Sequence, residues 1–404
     1  MISVLFADVA LSLAAFPCAV SGLYLGFLSA YSSGALQPAA PSGTAGNALR
    51  FEIIIPAHNE ELVIAAAIRS VLALEYPVAQ MRVIVVADNC TDRTASIARS
   101  AGVRVLDRVD ASERGKGYAL ALAFADCLRA DFADAIVVVD ADSEVSSNLL
   151  SAFAMRINAG AHAVQASYGV KSEVSSWRTR LMSLALTLFH DVRSLGRERL
   201  GVSCGLRGNG MGFSRAALMR VPYQAFSLVE DLEYGIQLAL AGVRVAYVPE
   251  ASVVADVPTS ASHARTQRLR WEGGRAQMAR RYRWPVMKAA WANRDPTLLD
   301  IAADLLVPPL ATLAFLTAAG LGLTILAWSM EWVGTPLPLA LWAIAAAGIA
   351  GYLGRGCALS DRGARILLDL AWAPLYIAWK LPLRLLAPAF HAAEWVRTER
   401  EARK

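Results

Sequence analysis

This chain lacks charge in places where soluble proteins carry it. Only 18% of its 404 residues are Asp, Glu, Lys or Arg, against about 25% in a typical soluble domain. The deficit lies at the two ends. Asp8 is the one charged residue before Arg50, and residues 305–330 and 334–354 hold none. Cysteine is also sparse. Cys18, Cys90, Cys127, Cys204 and Cys357 make an odd number, and no two stand at metal-ligand spacing. A disulfide scaffold and a zinc finger are therefore excluded, and the thiols read as small buried hydrophobes in a reducing compartment. A hydrophobic content of 56% excludes disorder and collagen. There is no internal repeat, and the one biased tract is the Ala/Pro/Ser/Gly stretch Ser33–Asn47.

The uncharged ends have membrane lengths. About 20 apolar residues cross a bilayer, and Ile2–Ala30, Leu305–Met330 and Gly334–Gly354 each qualify. The first lacks the positive start of a secretory signal and reads as an uncleaved anchor. Glu331–Gly334 carries no base, whereas Arg355, Arg362 and Arg365 follow the last run. Basic flanks stay inside, so the hairpin loop faces out and residues 50–300 face the cytoplasm. Ile366–Phe390 contains Asp369, Lys380, Arg384 and three prolines, and reads as a re-entrant or interfacial helix, with a fourth span as the alternative. The net charge of +5 belongs to these flanks and implies no nucleic acid. The expected organisation is an anchor at 1–32, a linker at 33–49 and a cytoplasmic domain at 50–258. Basic interfacial helices at 259–300, a membrane region at 301–390 and a basic tail at 391–404 follow.

Within the polar middle, Phe51–Ile55, Arg82–Ala87, Val103–Leu106 and Ala135–Val139 are short apolar runs that read as strands. Helical patterns separate them. One is Glu60–Leu74 with Asn59 as cap, a second is capped by Thr91 or Asn89 and ends at Gly102, and a third spans Gly117–Ala130. Alternation of this kind predicts an α/β fold with a largely parallel sheet, and ligands in such sheets bind outside the carboxyl ends of the strands. That edge collects Pro56–Glu60, Asp88–Asp92 and Asp140-Ala-Asp142.

Ile55–Glu60, Val86–Asp92, Arg114-Gly-Lys-Gly117, Val139–Asp142, Glu230-Asp231 and Gln267–Trp271 together resemble family 2 glycosyltransferases. The likeness is to the membrane-embedded branch that includes cellulose, chitin and hyaluronan synthases. The motifs run in family order over residues 51–271. The resemblance implies a GT-A (Rossmann-like) domain with a mixed, mostly parallel sheet between N- and C-terminal transmembrane helices. It implies inverting transfer from a nucleotide-diphosphate sugar, a UDP-sugar first, to a saccharide or lipid-linked hydroxyl. The setting would be polysaccharide or glycolipid assembly at a bacterial inner membrane, in contact with lipids and possible assembly partners.

The residues carry their own chemical reading beside that likeness. Asp140 and Asp142 stand one residue apart at a strand end, where two buried carboxylates repel. Mg²⁺ or Mn²⁺ with oxygen ligands relieves the repulsion and grips diphosphate; a turn cap is the plainer alternative. Asp88 can accept from a nucleobase N–H, although the family often has two adjacent acids where this chain has Ala87-Asp88. Pro56, Ala57 and Glu60 lie where the resemblance places the nucleoside. Lys116, between glycines, can meet diphosphate as a point charge or be a basic surface turn. Glu230-Asp231 begins an amphipathic helix, so acids there also suit the helix dipole. The resemblance makes Asp231 the general base and Glu230 its neighbour. Gln267, Arg270 and Trp271 share a helix face, with Arg270 suited to leaving-group charge and Trp271 to stacking on the acceptor sugar. From Thr259 to Ala290 there are eight Arg or Lys and one acid, Glu272, so this helix could also lie on anionic lipid before Trp284-Pro285 breaks it. Gly205–Phe213 reads as an acceptor-side loop or a tight bend. No Ser-His-Asp arrangement is evident. Processive synthesis and single transfer both remain open, as does a non-catalytic assembly or export subunit.

Overall fold

A computed structural model describes residues 2–34, 49–170, 176–255, 261–360 and 362–375; the side chains of 261–269 lie outside the described set. Most of the 33–49 linker, the fourth apolar segment beyond 375 and the 391–404 tail lie outside the described residues. The chain divides into two compact units, one from segments within 1–34, 175–200 and 302–391, the other from segments within 35–174 and 201–301.

The second unit is the α/β body. The expected mixed, mostly parallel sheet is present. Strand β1 (Phe51–Ala57) is buried along its whole length, as a strand covered on both faces must be. It pairs in parallel with β2 (Met81–Asp88), bringing Ala57 opposite Ala87. It also pairs in parallel with β4 (Ala135–Val138), setting Ile54 opposite Val138. Strand β3 (Arg104–Arg108) extends the sheet beside β2, with Asp88 opposite Arg108. These strands therefore end at one level, and the loops after β1, β2 and β4 emerge side by side. Strands β5 (Ser143–Val145), β6 (Ala163–Val170), β7 (Met211–Ser214) and β8 (Val245–Ala255) complete the order β3-β2-β1-β4-β7-β6-β8-β5. Pairings β4–β7, β5–β8 and β6–β7 are antiparallel. Ile53, Ile55, Val83, Val85 and Val137 pack against Ile64, Ile68 and Val71 of the helix Ile64–Leu72. Each such side chain contributes about 1.5–3 kcal/mol on burial.

Three local expectations change. The helix after β1 starts at Ile64 rather than at Glu60, and no side chain caps it. Asn59 is instead left-handed, with φ +56°, and its Oδ1 accepts from the Thr91 and Asp92 amides. Neither Thr91 nor Asn89 caps the helix Thr94–Ser100; Asp92 Oδ1 accepts from Thr94 N at 2.9 Å. Pro285 does not end the helix Ala261–Asn293. Proline forfeits one backbone bond there, but Met278, Val286 and Ala290 are buried on either side of it.

The first unit holds three helices long and apolar enough to cross a membrane among the described residues: Val4–Tyr31, Leu310–Ser329 and Leu337–Leu359. The apolar run 305–330 is not one helix: Leu305 and Leu306 end the helix Pro296–Leu306, and Val307-Pro308-Pro309 separates it from the helix Leu310–Ser329. Gly348 packs on the Gly22 backbone with no room for a side chain, the close approach that small residues allow between apolar helices. The segment Trp177–Arg199 packs in this unit. Its buried Arg193 donates to Asp304 (2.7 Å) and Tyr352 (2.9 Å), and Arg197 donates to Tyr24 at 2.7 Å. Buried charge of this kind persists only when paired. After Leu359, Ile366–Leu370 is helical and Asp369 accepts from Arg180 at 2.7 Å.

Candidate active site

The loops at the carboxyl edge brace one another. His58 Nδ1 donates to the Asp88 carbonyl at 2.6 Å, Glu60 N donates to Thr94 Oγ1 at 2.7 Å, and Glu61 N donates to Asp92 Oδ2 at 3.1 Å. Pro56 and Ala57 are buried strand residues within this cradle. Asp88 is buried, and its Oδ1 accepts from Arg108 (2.9 Å) and Asn89 (3.0 Å). Burial pushes the Asp88 carboxyl up, and Arg108 opposes the shift. Arg108 also donates to Asp110 and Glu113. Arg108 was not singled out from sequence; its register opposite Asp88 is the signal that would have found it.

The acids after β4 and at the helix Glu230–Leu240 meet around one lysine. Lys116 is the first residue of the helix Lys116–Ala130. Gly115 before it has φ +131°. Gly117 after it touches the Ala225 carbonyl where a Cβ would sit. The Lys116 ammonium donates to Asp140 Oδ1 at 2.5 Å and to the Gly208 carbonyl at 2.5 Å. It lies 3.7 Å from Glu230 Oε1, with side-chain exposures of 21% for Lys116 and 13% for Glu230. Gly208 has φ +81°, and a Cβ there would lie 3.3 Å from Asp231 Oδ2. Residues 116, 140, 208 and 230–231, distant in the chain, thus share one cluster. The glycine-dense segment Gly205–Phe213 supplies its backbone edge.

Electrostatics follow from that packing. Burial drives the Glu230 carboxyl up to about 7; Lys116 pulls it down, while Asp231 and Asp140 push it further up. Burial also raises Asp231, against the Leu232 amide, Lys116 and Arg207. For Lys116 burial acts to lower the ammonium, but Asp140, Glu230 and Asp231 reverse that, and the net direction is up.

Asp142 lies on the same turn as Asp140, and its Oδ1 accepts from Ser143 at 3.0 Å. Among the described residues no group of three or more His, Cys, Asp or Glu could hold a metal. Two hard carboxylates therefore suit a cation that takes its remaining oxygens from substrate phosphate and water, the usual habit of Mg²⁺. They do not suit an all-protein cage.

The helix Ala261–Asn293 packs beside the Glu230-Asp231 turn. A Cβ on Gly274 would lie 2.7 Å from Val229 Cγ1, and Arg281 donates to Glu233 at 3.0 Å. Arg270, one turn before Gly274, has a buried Nε without a hydrogen-bond partner among the described residues. Trp271 is 36% exposed. The side chain of Gln267 lies outside the described residues.

An open α/β sheet with acids gathered beyond its strand ends is a ligand-binding arrangement of a known class. Residues 49–274 match the family described as Glycosyltransferase like family 2. The chain belongs to that family. It is 26% identical over 234 residues to a probable glycosyltransferase, YdaM, of Bacillus subtilis, covering 56% of this chain and 55% of the relative. It is 28% identical over 242 residues to the beta-monoglucosyldiacylglycerol synthase of Synechocystis, covering 57% of this chain and 49% of the relative. The chain thus spans about half the length of these two relatives. An N-acetylglucosaminyltransferase of Sinorhizobium fredii is 25% identical over 366 residues, 87% of each chain. The fold is shared with the mannosyltransferase PcManGT of Pyrobaculum calidifontis, solved with GDP-Man and Mn²⁺. There the TM-score is 0.56 and the identity 20%, over 92% of this chain and 97% of that one.

Proposed function

We propose that the protein is an inverting glycosyltransferase. It moves a sugar from a nucleotide-diphosphate donor, a UDP-sugar first, to a hydroxyl of a saccharide or lipid-linked acceptor. The catalytic unit faces the cytoplasm, with the apolar helices held in a bacterial inner membrane. The observation that carries this reading is the meeting of Asp140, Glu230 and Asp231 around Lys116.

In this reading Asp140 and Asp142 hold Mg²⁺ or Mn²⁺, which when bound neutralises the leaving diphosphate. Lys116, bonded to Asp140, would add positive charge toward the same phosphate. Asp88, paired with Arg108, and the Pro56, Ala57 and Glu60 cradle receive the nucleoside. Asp231 takes the proton of the acceptor hydroxyl as its oxygen bonds to the anomeric carbon and the bond to diphosphate breaks. Glu230 orients Asp231. Arg270 steadies departing charge, and Trp271 with Gln267 forms the acceptor floor. In this reading Asp231 acts as base, and neither Glu230 nor Asp140, both paired with Lys116, attacks the anomeric carbon, which corresponds to inversion.

A panel of UDP- and GDP-sugars, scored by nucleotide release from membranes containing the protein, tests this. Metal-dependent release with at least one donor is expected. A product ladder indicates processive synthesis, and one addition indicates single transfer. Silence with every donor, together with no metal-dependent nucleotide binding, supports a non-catalytic assembly role instead.

A further inference from the structure

We infer that Asn209, clamped by Gln165, is a positioning residue. It sets the spacing between the two aspartates assigned to the cation and the aspartate assigned as base. The inference rests on the function proposed above and adds residues that reading does not use. Asn209 and Gln165 are both fully buried, so neither can reach a substrate. Buried amides are retained only where their donors and acceptors are met.

Asn209 meets the acid turn twice. Its Oδ1 accepts from Asp140 N at 3.0 Å, and its Nδ2 donates to Ser143 Oγ at 2.7 Å. Ser143 Oγ in turn donates to Asp142 Oδ1 at 3.0 Å. One side chain therefore holds the backbone of the first aspartate and, through a hydroxyl, the carboxylate of the second. Gln165 on β6 fixes Asn209 from behind: its Nε2 donates to the Asn209 carbonyl at 2.7 Å, and its Oε1 accepts from Arg207 N at 2.8 Å. Gly208 lies between those two gripped residues. Its carbonyl accepts from Lys116, and its Cα faces Asp231. The Asn209 amide thus seats the cation turn, while the Gln165 amide seats the backbone that carries Asn209 and sets Gly208 against the base. A shift of either half moves the other, and a misplacement of about 1 Å can cost about 100-fold in rate.

The test compares wild type, Asn209→Ala, Ser143→Ala and the double variant. Mn²⁺ is titrated in the presence of UDP, and again of GDP, by calorimetry; turnover is measured at saturating Mn²⁺, and thermal unfolding is recorded for each protein. Asn209→Ala is expected to weaken Mn²⁺ binding at least tenfold and to leave turnover at least tenfold down when Mn²⁺ saturates. Ser143→Ala is expected to weaken Mn²⁺ binding about threefold, with the double variant no worse than Asn209→Ala alone, since both changes cut one chain of contacts. Unchanged Mn²⁺ affinity in folded Asn209→Ala overturns the inference. If that variant does not fold, unchanged Mn²⁺ affinity in Ser143→Ala does so. A wild type that transfers sugar while both variants match it strikes this inference alone; a wild type that neither binds Mn²⁺ with nucleotide nor transfers sugar strikes the functional reading as well.

Discussion

Replacing Lys116 by methionine removes the one ammonium at the acid cluster while keeping the length of the stem. Asp140, Glu230 and Asp231 then face one another without it. Burial and like charge already hold Glu230 at about 7 from an ordinary 4.5. That displacement corresponds to about 3 kcal/mol between its two protonation states. A carboxyl raised on folding stabilises the fold below its unfolded value and forfeits that contribution as pH rises through its folded value. Without Lys116 the folded value climbs further. The variant should therefore lose the Asp140 contact at every pH, lie nearer to wild type near pH 5.5, where Glu230 keeps its proton, and fall further behind as pH rises to 8.5. The loss at the upper end should be about 2–4 kcal/mol, the roughly 3–5 kcal/mol for breaking one side of a buried ion pair reduced by the partial exposure of Lys116 and Asp140. Thermal unfolding of the purified, detergent-held protein at a series of pH values reads this. An unfolding temperature lowered equally at pH 5.5 and 8.5 would refute the argument, because it would locate the loss in packing rather than in charge.

Glu230→Gln removes a negative neighbour from Asp231, whose carboxyl burial already raises, so the acid limb of the transfer profile should move to lower pH; an unmoved limb dissociates Glu230 from the titration. Asp142→Ala should abolish metal-dependent nucleotide binding with little change in unfolding temperature, and unaltered Mn²⁺-dependent UDP affinity would remove Asp142 from the cation. Gly117→Ala places a methyl against the Ala225 carbonyl and should destabilise the protein by about 1–3 kcal/mol, read as a lower unfolding temperature; a neutral result would mean that the helix start moves freely.

Much of the sheet was legible because its central strands are short runs dominated by Ile and Val. Phe51–Ile55 and Ala135–Val139 have no other economical reading, and β1 and β4 fall on them. The far half was harder. Strand β7 includes Gly212, and β6 runs Ala-Val-Gln-Ala-Ser-Tyr-Gly-Val, so neither has an apolar run or a strict alternation. Their strand form comes from pairing with β4 and β8, a tertiary fact with no local signature. Asn59 looked like a cap by residue type, but its left-handed backbone turns its amide toward the second loop. Pro285 looked like a stop, yet buried side chains around it outweigh one missing bond.

At the site, the acids were visible as motifs, and their meeting point was not. Asp140 and Glu230 are 90 residues apart, and Lys116 between them could equally have been a surface turn. Arg108 carried no pattern, and Asn209 lay in the glycine-dense segment Gly205–Phe213 with nothing to mark it from its neighbours. Arg108 matters because register sets it opposite Asp88. Asn209 matters because a buried backbone amide at Asp140 needs an acceptor.

The most direct test is Asp231→Asn, with donor binding and sugar transfer measured on the same preparation. Near-wild-type affinity for the nucleotide sugar and Mn²⁺, with transfer reduced at least a thousandfold, is the result the account predicts. Transfer at the wild-type rate would contradict it, since no other group in the account takes the acceptor's proton.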